Sequence, residues 1–251
     1  MNVQSIRPKI DELESFLQDS NYSVLGICEH WLNKYEADQV RILDFTAKSS
    51  FSRTGSTHGG SLIMTREEVD CIPVPMLEQL SVENQCEISS VKISNLQLYF
   101  INIYRPPSGN LDMFLDVLVE VFNVVDTIKY KVILAGDFNV KFDKHDPLKD
   151  RLLDFMHGFG LYPIVNFPTR NDVRLDNVFT NLEATLYKVN PVHPCSSDHT
   201  GIRCELRFCM NTVNVTYKEI RPLTYVGQIQ LYRYISGVDW SFIDSYDIDI
   251  S

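Results

Sequence analysis

The feature that most limits how this chain can fold is a set of short apolar runs of strand length, each stopping at a polar side chain. Ser23-Val24-Leu25-Gly26-Ile27-Cys28 ends at Glu29, and Val132-Ile133-Leu134-Ala135 runs into Gly136-Asp137-Phe138-Asn139. Near-continuous apolar runs read as strands buried on both faces, so each needs cover on two sides. A helix can supply it: Leu111, Phe114, Leu115, Leu118 and Phe122 recur at i, i+3, i+4, i+7 and i+11 just before the second run.

The remaining pattern mixes both element types. Residues 8–18 carry Ile10, Leu13, Phe16 and Leu17 at helical spacing, with Pro8 in the first turn. Strands over 87–93 and 96–104, turning at Ser94-Asn95, predict an antiparallel hairpin that Pro106-Pro107 terminates. Residues 46–60, rich in Ser, Thr and Gly, read as a loop before a short strand at 61–65. A helix over 148–157 stops at Gly158, and strands follow at 174–179, 185–189 and 201–208. The expected architecture is α/β (α+β): two mixed sheets packed face to face and flanked by helices, a four-layer sandwich. One domain is expected over 1–209, with 210–251 a linker or partial element.

Composition removes several classes. With 251 residues, 44% hydrophobic and 22% charged, the chain is ordinary globular material and not collagen-like or low-complexity. No stretch approaches the roughly 20 apolar residues of a membrane span, and the N-terminus does not read as a secretory signal. An intracellular setting is expected, nuclear if the protein is active. Six cysteines without CxxC spacing read as free thiols. A formal net charge of −10 argues against gripping nucleic acid by a broad basic face, yet suits an enzyme whose carboxylates gather a cation.

The polar residues at strand ends are the candidates for chemistry: Glu29, Tyr104, Asp137, Asn139, Asp176, Asp198 and His199. Glu29 alone reads as a solvated cap or a ligand. Asp137 and Asn139 share a face if the chain stays extended there; the other reading is a turn in which both bond their own backbone. Asp176, an acid within an apolar strand, needs a partner if buried, and His199 would serve. Asp198 and His199, adjacent in sequence, should face different partners. The other histidines, His30, His58, His145, His157 and His193, read as surface or core residues. No Gly-x-Ser-x-Gly elbow, phosphate loop or dinucleotide fingerprint is present.

Taken in order, these segments carry a family pattern: Asn2-Val3-Gln4-Ser5, Cys28-Glu29-His30-Trp31-Leu32, Asn102-Ile103-Tyr104-Arg105-Pro106-Pro107, Gly136-Asp137-Phe138-Asn139, Pro168-Thr169-Arg170, Leu175-Asp176-Asn177-Val178-Phe179-Thr180-Asn181 and Ser197-Asp198-His199. The chain resembles the exonuclease-endonuclease-phosphatase superfamily, and within it the endonuclease domain of non-LTR retrotransposons. That resemblance implies a Mg²⁺-dependent endonuclease (with Mn²⁺ a possible substitute) that hydrolyses double-stranded DNA to leave a 3′-hydroxyl, without a small-molecule cofactor or a membrane partner. It implies metal binding by Glu29 with Asn2 and Asp198 beside it. His199, oriented by Asp176, would act at the scissile phosphate as base or stabiliser. Asp137 and Asn139 would orient and deprotonate water, Tyr104 would donate to a phosphate oxygen or assist the leaving group, and Thr169 would touch the phosphate.

One departure is visible. The family places an apolar strand ahead of the asparagine at the position of Asn2, where this chain has Met1 alone, so the first strand is expected to be largely missing and the chain to be a truncated copy ahead of an absent reverse transcriptase domain. Two alternatives therefore stand beside the endonuclease: an abasic-site repair-type endonuclease and a non-catalytic remnant. Cleavage specificity and oligomeric state are not encoded in any motif.

Overall fold

The computed structural model describes residues 1–207 and contains two main sheets packed against each other, with helices outside. The expected strand or linker at 208 and beyond lies outside the described residues. Strands β1 (Val24–Cys28), β2 (Arg41–Ile42), β3 (Phe45–Phe51) and β4 (Ser61–Arg66) form an antiparallel sheet in the order β1-β4-β3-β2. Strands β5 (Cys71–Pro73), β6 (Glu87–Ile93), β7 (Leu98–Tyr104), β8 (Lys131–Asp137), β9 (Tyr162–Pro163) and β10 (Asp176–Thr180) form a mixed sheet in the order β5-β6-β7-β8-β10-β9, with β7 and β8 parallel. A separate ladder joins β11 (Tyr187–Val192) to β12 (Gly201–Leu206).

Each sheet has its own helical cover. Helix α1 (Ile10–Leu17) buries Leu13 and Leu17 against Ile27, Phe45 and Leu62 of the four-stranded sheet. Helices α2 (Lys34–Gln39) and α3 (Pro75–Glu78) are short. Helix α4 (Leu111–Val124) presents Phe114, Leu118, Val121 and Phe122 to the six-stranded sheet, and α5 (Pro147–Gly158) joins it through Leu152 and Met156. Asn110 caps α4 by accepting from the Asp112 and Met113 amides, which fixes where the predicted periodicity begins. Each such fully buried side chain contributes about 1.5–3 kcal/mol of transfer free energy.

Between the sheets runs a small polar seam. Ser61 and Ser89 hydroxyls bond each other at 2.7 Å, and Asn102 donates to Ser61 Oγ at 2.8 Å and to the Ile27 carbonyl at 3.0 Å. Gly26 faces this seam: a Cβ there would lie 2.7 Å from Asn102 Oδ1, so the sheets can approach only if the residue is glycine.

Residues 46–60 differ from expectation, because Phe45–Phe51 is a strand. Its serines are not loop-like here: Ser49 Oγ donates to Glu78 and accepts from the Ser90 amide, and Ser50 is bonded to Asp38, so both polar side chains are satisfied in buried positions. The strand expected at 185–189 begins two residues later, after a single 3₁₀ turn at Ala184–Leu186. At the N-terminus, Asn2 forms an isolated parallel bridge with Cys28; the Met1 ammonium donates to Gly26 O at 2.8 Å and the Val3 amide to Cys28 O at 3.1 Å. No helix among the described residues is long and apolar enough to cross a membrane. The five described cysteines are free thiols.

Candidate functional site

The ladder registers of the six-stranded sheet create a single row of polar residues at one end: Glu87 stands opposite Tyr104, Tyr104 opposite Asp137, and Asp137 opposite Asp176. The row forms because β7, β8 and β10 each reach that end at a polar residue. Phe138, buried among Phe114, Phe142 and Phe179, anchors the chain just beyond Asp137 in the core. Gly136 has a φ of +152°, and a Cβ there would sit 1.8 Å from the Ile103 carbonyl, so no other residue fits.

Asn139 departs from the extended reading. It has a φ of +49°, and its amide donates to Asp137 Oδ1 at 3.0 Å, the turn reading. Its side-chain amide donates to the Arg105 carbonyl at 2.8 Å. Arg105, almost fully buried, donates back to the Phe138 carbonyl at 3.1 Å, so the turn is held from both sides.

Glu29 enters from the other sheet. The Asn2 amide donates to Glu29 Oε1 at 2.8 Å and to Asp137 Oδ2 at 2.9 Å, bridging the two carboxylates. Its oxygen is turned to the Gln4 amide at 3.2 Å, so in this geometry Asn2 acts as a double donor. Trp31 Nε1 donates to Glu29 Oε2 at 3.1 Å, and the Tyr104 hydroxyl also bonds this carboxylate. Burial and then the Glu29 charge hold the Tyr104 hydroxyl in its protonated form far above its usual range.

His199 is buried, with Nδ1 at 2.8 Å from Asp176 Oδ2 and Nε2 at 3.9 Å from Asp137 Oδ2. In this contact the imidazole Nδ1–H is the donor and the Asp176 oxygen the acceptor. Burial disfavours the imidazolium, but the hydrogen bond and charge of Asp176 outweigh it and the histidine pKa is raised. Asp137 is pushed up to about 7, first by burial and then by the facing Asp176 charge. Asp176 is the first residue of β10 and not mid-strand as the pattern suggested, which is why it meets the strand-end cluster.

Thr169 has no exposure; its hydroxyl accepts from the Leu175 and Asp176 amides, both at 2.9 Å. Asp198 is partly exposed and its Oδ2 takes two donors from Arg170, at 2.6 and 2.8 Å, leaving Oδ1 at 3.9 Å from His199 Nε2. Adjacent Asp198 and His199 thus do face different partners. Ser197 ties the cluster together, donating to the Asn2 carbonyl at 2.8 Å and accepting from the His199 amide at 3.2 Å. His30 is a core residue: it accepts from the Leu32 amide, lies 2.9 Å from Phe51 O, and is held neutral by burial with its pKa lowered to about 4. His58, His145, His157 and His193 are exposed.

Two donor sets could take a cation. Asp137, Asp176 and His199 lie within ligand distance of one another. In that set, however, Nδ1 of His199 is committed to Asp176. The Glu29 side offers an oxygen-only carboxylate set, with Asp137 across the Asn2 bridge, and fits a hard divalent ion better. Several contributors carried no sequence expectation of a role: Trp31, Arg105, Arg170 and Ser197, and the buried Arg53–Glu87 pair at 2.5 Å. For Trp31 the available signal was its place two residues after Glu29.

The description "Endonuclease/Exonuclease/phosphatase family" matches residues 1–199. No curated protein matches. Among solved structures, the endonuclease domain of TRAS1, a telomere-specific non-LTR retrotransposon, superposes with a TM-score of 0.64 at 18% identity, over 82% of this chain and 95% of that one. The 3′-5′ exonuclease NExo from Neisseria meningitidis gives 0.64 at 17%, over 82% and 98%. An AP endonuclease from Archaeoglobus fulgidus gives 0.62 at 17%, over 82% and 97%. At such identities the likeness is one of fold.

Proposed function

Because the chain belongs to the endonuclease/exonuclease/phosphatase family, we propose that it is a Mg²⁺-dependent endonuclease that hydrolyses phosphodiester bonds of double-stranded DNA to leave a 3′-hydroxyl. The observation that supports this most is the convergence of Asn2, Glu29, Tyr104, Asp137, Asp176 and His199 on one sheet end, from segments spread along the whole domain. Five of these six side chains are almost fully buried, two acids and a histidine among them, and buried ionisable groups clustered in this way are retained for chemistry more readily than for stability.

Glu29 is the residue we assign to the cation, with Asn2 bonded to it and Asp198, whose free oxygen lies 3.9 Å from His199 Nε2, as the further ligand the family resemblance implies. When bound, Mg²⁺ supplies positive charge that stabilises the developing phosphorane. The chain's own groups do the rest. Asp137, whose proton affinity is raised to the neutral range, takes the proton of a water oriented with help from Asn139. His199, kept protonated by Asp176, donates from Nε2 to a phosphate oxygen. The Tyr104 hydroxyl, which stays protonated, donates to the same group or to the leaving oxygen. Thr169 acts by fixing the Asp176 backbone, and phosphate contact by its buried hydroxyl is not part of this reading. Chromosomal DNA as substrate would set the active protein in the nucleus.

The test is nicking of supercoiled plasmid by purified protein with Mg²⁺. Open circles should form, and Glu29→Ala and His199→Ala should each abolish them. Absence of nicking, or nicking indifferent to both substitutions, defeats the proposal. A strong preference for an abasic duplex over undamaged DNA would replace it with the repair-type reading.

A further inference from the structure

Trp31 sits in an unusual place. Its φ is +57° and that of Glu29 is +56°, left-handed conformations that a bulky side chain adopts only when its surroundings impose them. The imposing contacts are specific. The Trp31 amide donates to Gly59 O at 3.1 Å and the Glu29 amide to Gly60 O at 2.8 Å, while Arg7 holds the Trp31 carbonyl at 2.9 Å. Between them His30 is locked in the core by its two backbone partners. The result aims the indole back along its own chain, so that Nε1–H meets Glu29 Oε2 at 3.1 Å while the ring stands edge-on to His58 at 4.3 Å between centroids.

We infer that Trp31 is a positioning residue that orients the Glu29 carboxylate for its cation, and that its indole reports cation binding there; this rests on Glu29 as the cation-binding carboxylate. With Asn2 on Oε1, Trp31 on Oε2 and the Tyr104 hydroxyl as a third donor, the carboxylate is held against rotation from both oxygens, and Trp31 is the donor on Oε2 that fixes the direction of its remaining lone pairs. Outer partners of this kind raise ligand affinity by about 10–100-fold. Trp31 is only half-buried, so removing its N–H leaves the core intact.

The sequence holds two tryptophans, Trp31 and Trp240, so Trp240→Phe in the full chain leaves one emitter. Metal-stripped protein is titrated with MgCl₂ while indole emission is recorded, and melting temperature is followed in parallel. Emission should change saturably, and Glu29→Gln should remove the change. Trp31→Phe, which keeps an aromatic ring and deletes the donor, should raise the Mg²⁺ midpoint of thermal stabilisation about 10-fold with little effect on the metal-free melting temperature. An unchanged midpoint in Trp31→Phe, or a silent indole in a protein whose melting temperature rises with Mg²⁺, overturns the inference while leaving the endonuclease reading intact. If neither signal responds and plasmid is not nicked, Glu29 is no cation ligand and both readings fall.

Discussion

Asp137 and Asp176 stand directly opposite each other across the β8–β10 ladder, two carboxylates on one rung of a buried sheet end. Like charges so placed repel, and here the repulsion is moderated by His199 on one side and the Asn2 amide on the other. The arrangement costs stability, and four outcomes follow from how it is held.

Replacing Asp137 by Asn removes one of the two facing carboxylates. Its pKa is raised on folding, so the stability it contributes is complete below the unfolded value and is lost as pH rises toward about 7. Metal-free wild type should therefore melt lower at pH 8 than at pH 5, and His199, also raised, adds to the loss at the upper end. The variant should flatten this slope and melt at least about 2 °C higher at pH 8, while losing nicking activity. A steeper slope in Asp137→Asn would contradict the assignment.

Asp176→Asn deletes the acceptor that orients His199. The imidazole pKa should drop from its raised position toward or below the ordinary value, followed by NMR titration of the ring protons. Turnover should fall by about 10²–10⁴, the usual worth of a positioned acid–base group, with little change in DNA binding.

Glu87 bonds Arg53 Nε at 2.5 Å, the Gly60 amide at 2.6 Å and the Asn84 amide at 3.3 Å, all with no exposure of its own. Burial raises its pKa in spite of these donors. Glu87→Ala strands a buried guanidinium and should cost about 3–5 kcal/mol in chemical denaturation. Glu87→Gln should cost distinctly less, and equal losses for both would mean the charge is irrelevant.

Thr169→Val leaves the Leu175 and Asp176 amides without their acceptor. The expected penalty is about 2–3 kcal/mol of stability together with reduced turnover, and Thr169→Ser should restore both. A hydroxyl whose task were phosphate contact would give lost activity at unchanged stability, so the two measurements separate the roles.

Much of this was legible from residues alone. The helix at Leu111 was set by its periodicity, and the β6–β7 hairpin by two runs separated by Ser94-Asn95. The pairing of Asp176 with His199 could be anticipated because a buried acid demands a partner. What pattern reading missed has a common cause. The strand at Phe45–Phe51 looked like a loop because serine is judged as exposed, and only the hydrogen bonds to Glu78 and Asp38 make it tolerable inside. The motif at Thr169 carries no record of which way its hydroxyl faces, and only the folded chain shows it accepting from the Leu175 and Asp176 amides. Arg53 and Glu87 are 34 residues apart, and nothing in either segment announces the other.

Sequence by itself determined most of the strands and helices, β3 excepted, and that acids and a histidine gather where strands end, because those outcomes depend on local periodicity and on the cost of burying an apolar face badly. Tertiary structure alone decided the register that sets Glu87, Tyr104, Asp137 and Asp176 in one row, the amide bridge from Asn2 to two carboxylates, and the left-handed turn that aims Trp31 at Glu29. Those depend on sub-ångström differences in distance between segments far apart in the chain, over which hydrogen-bond and Coulomb energies change steeply, and such distances are set only once the sheets have packed.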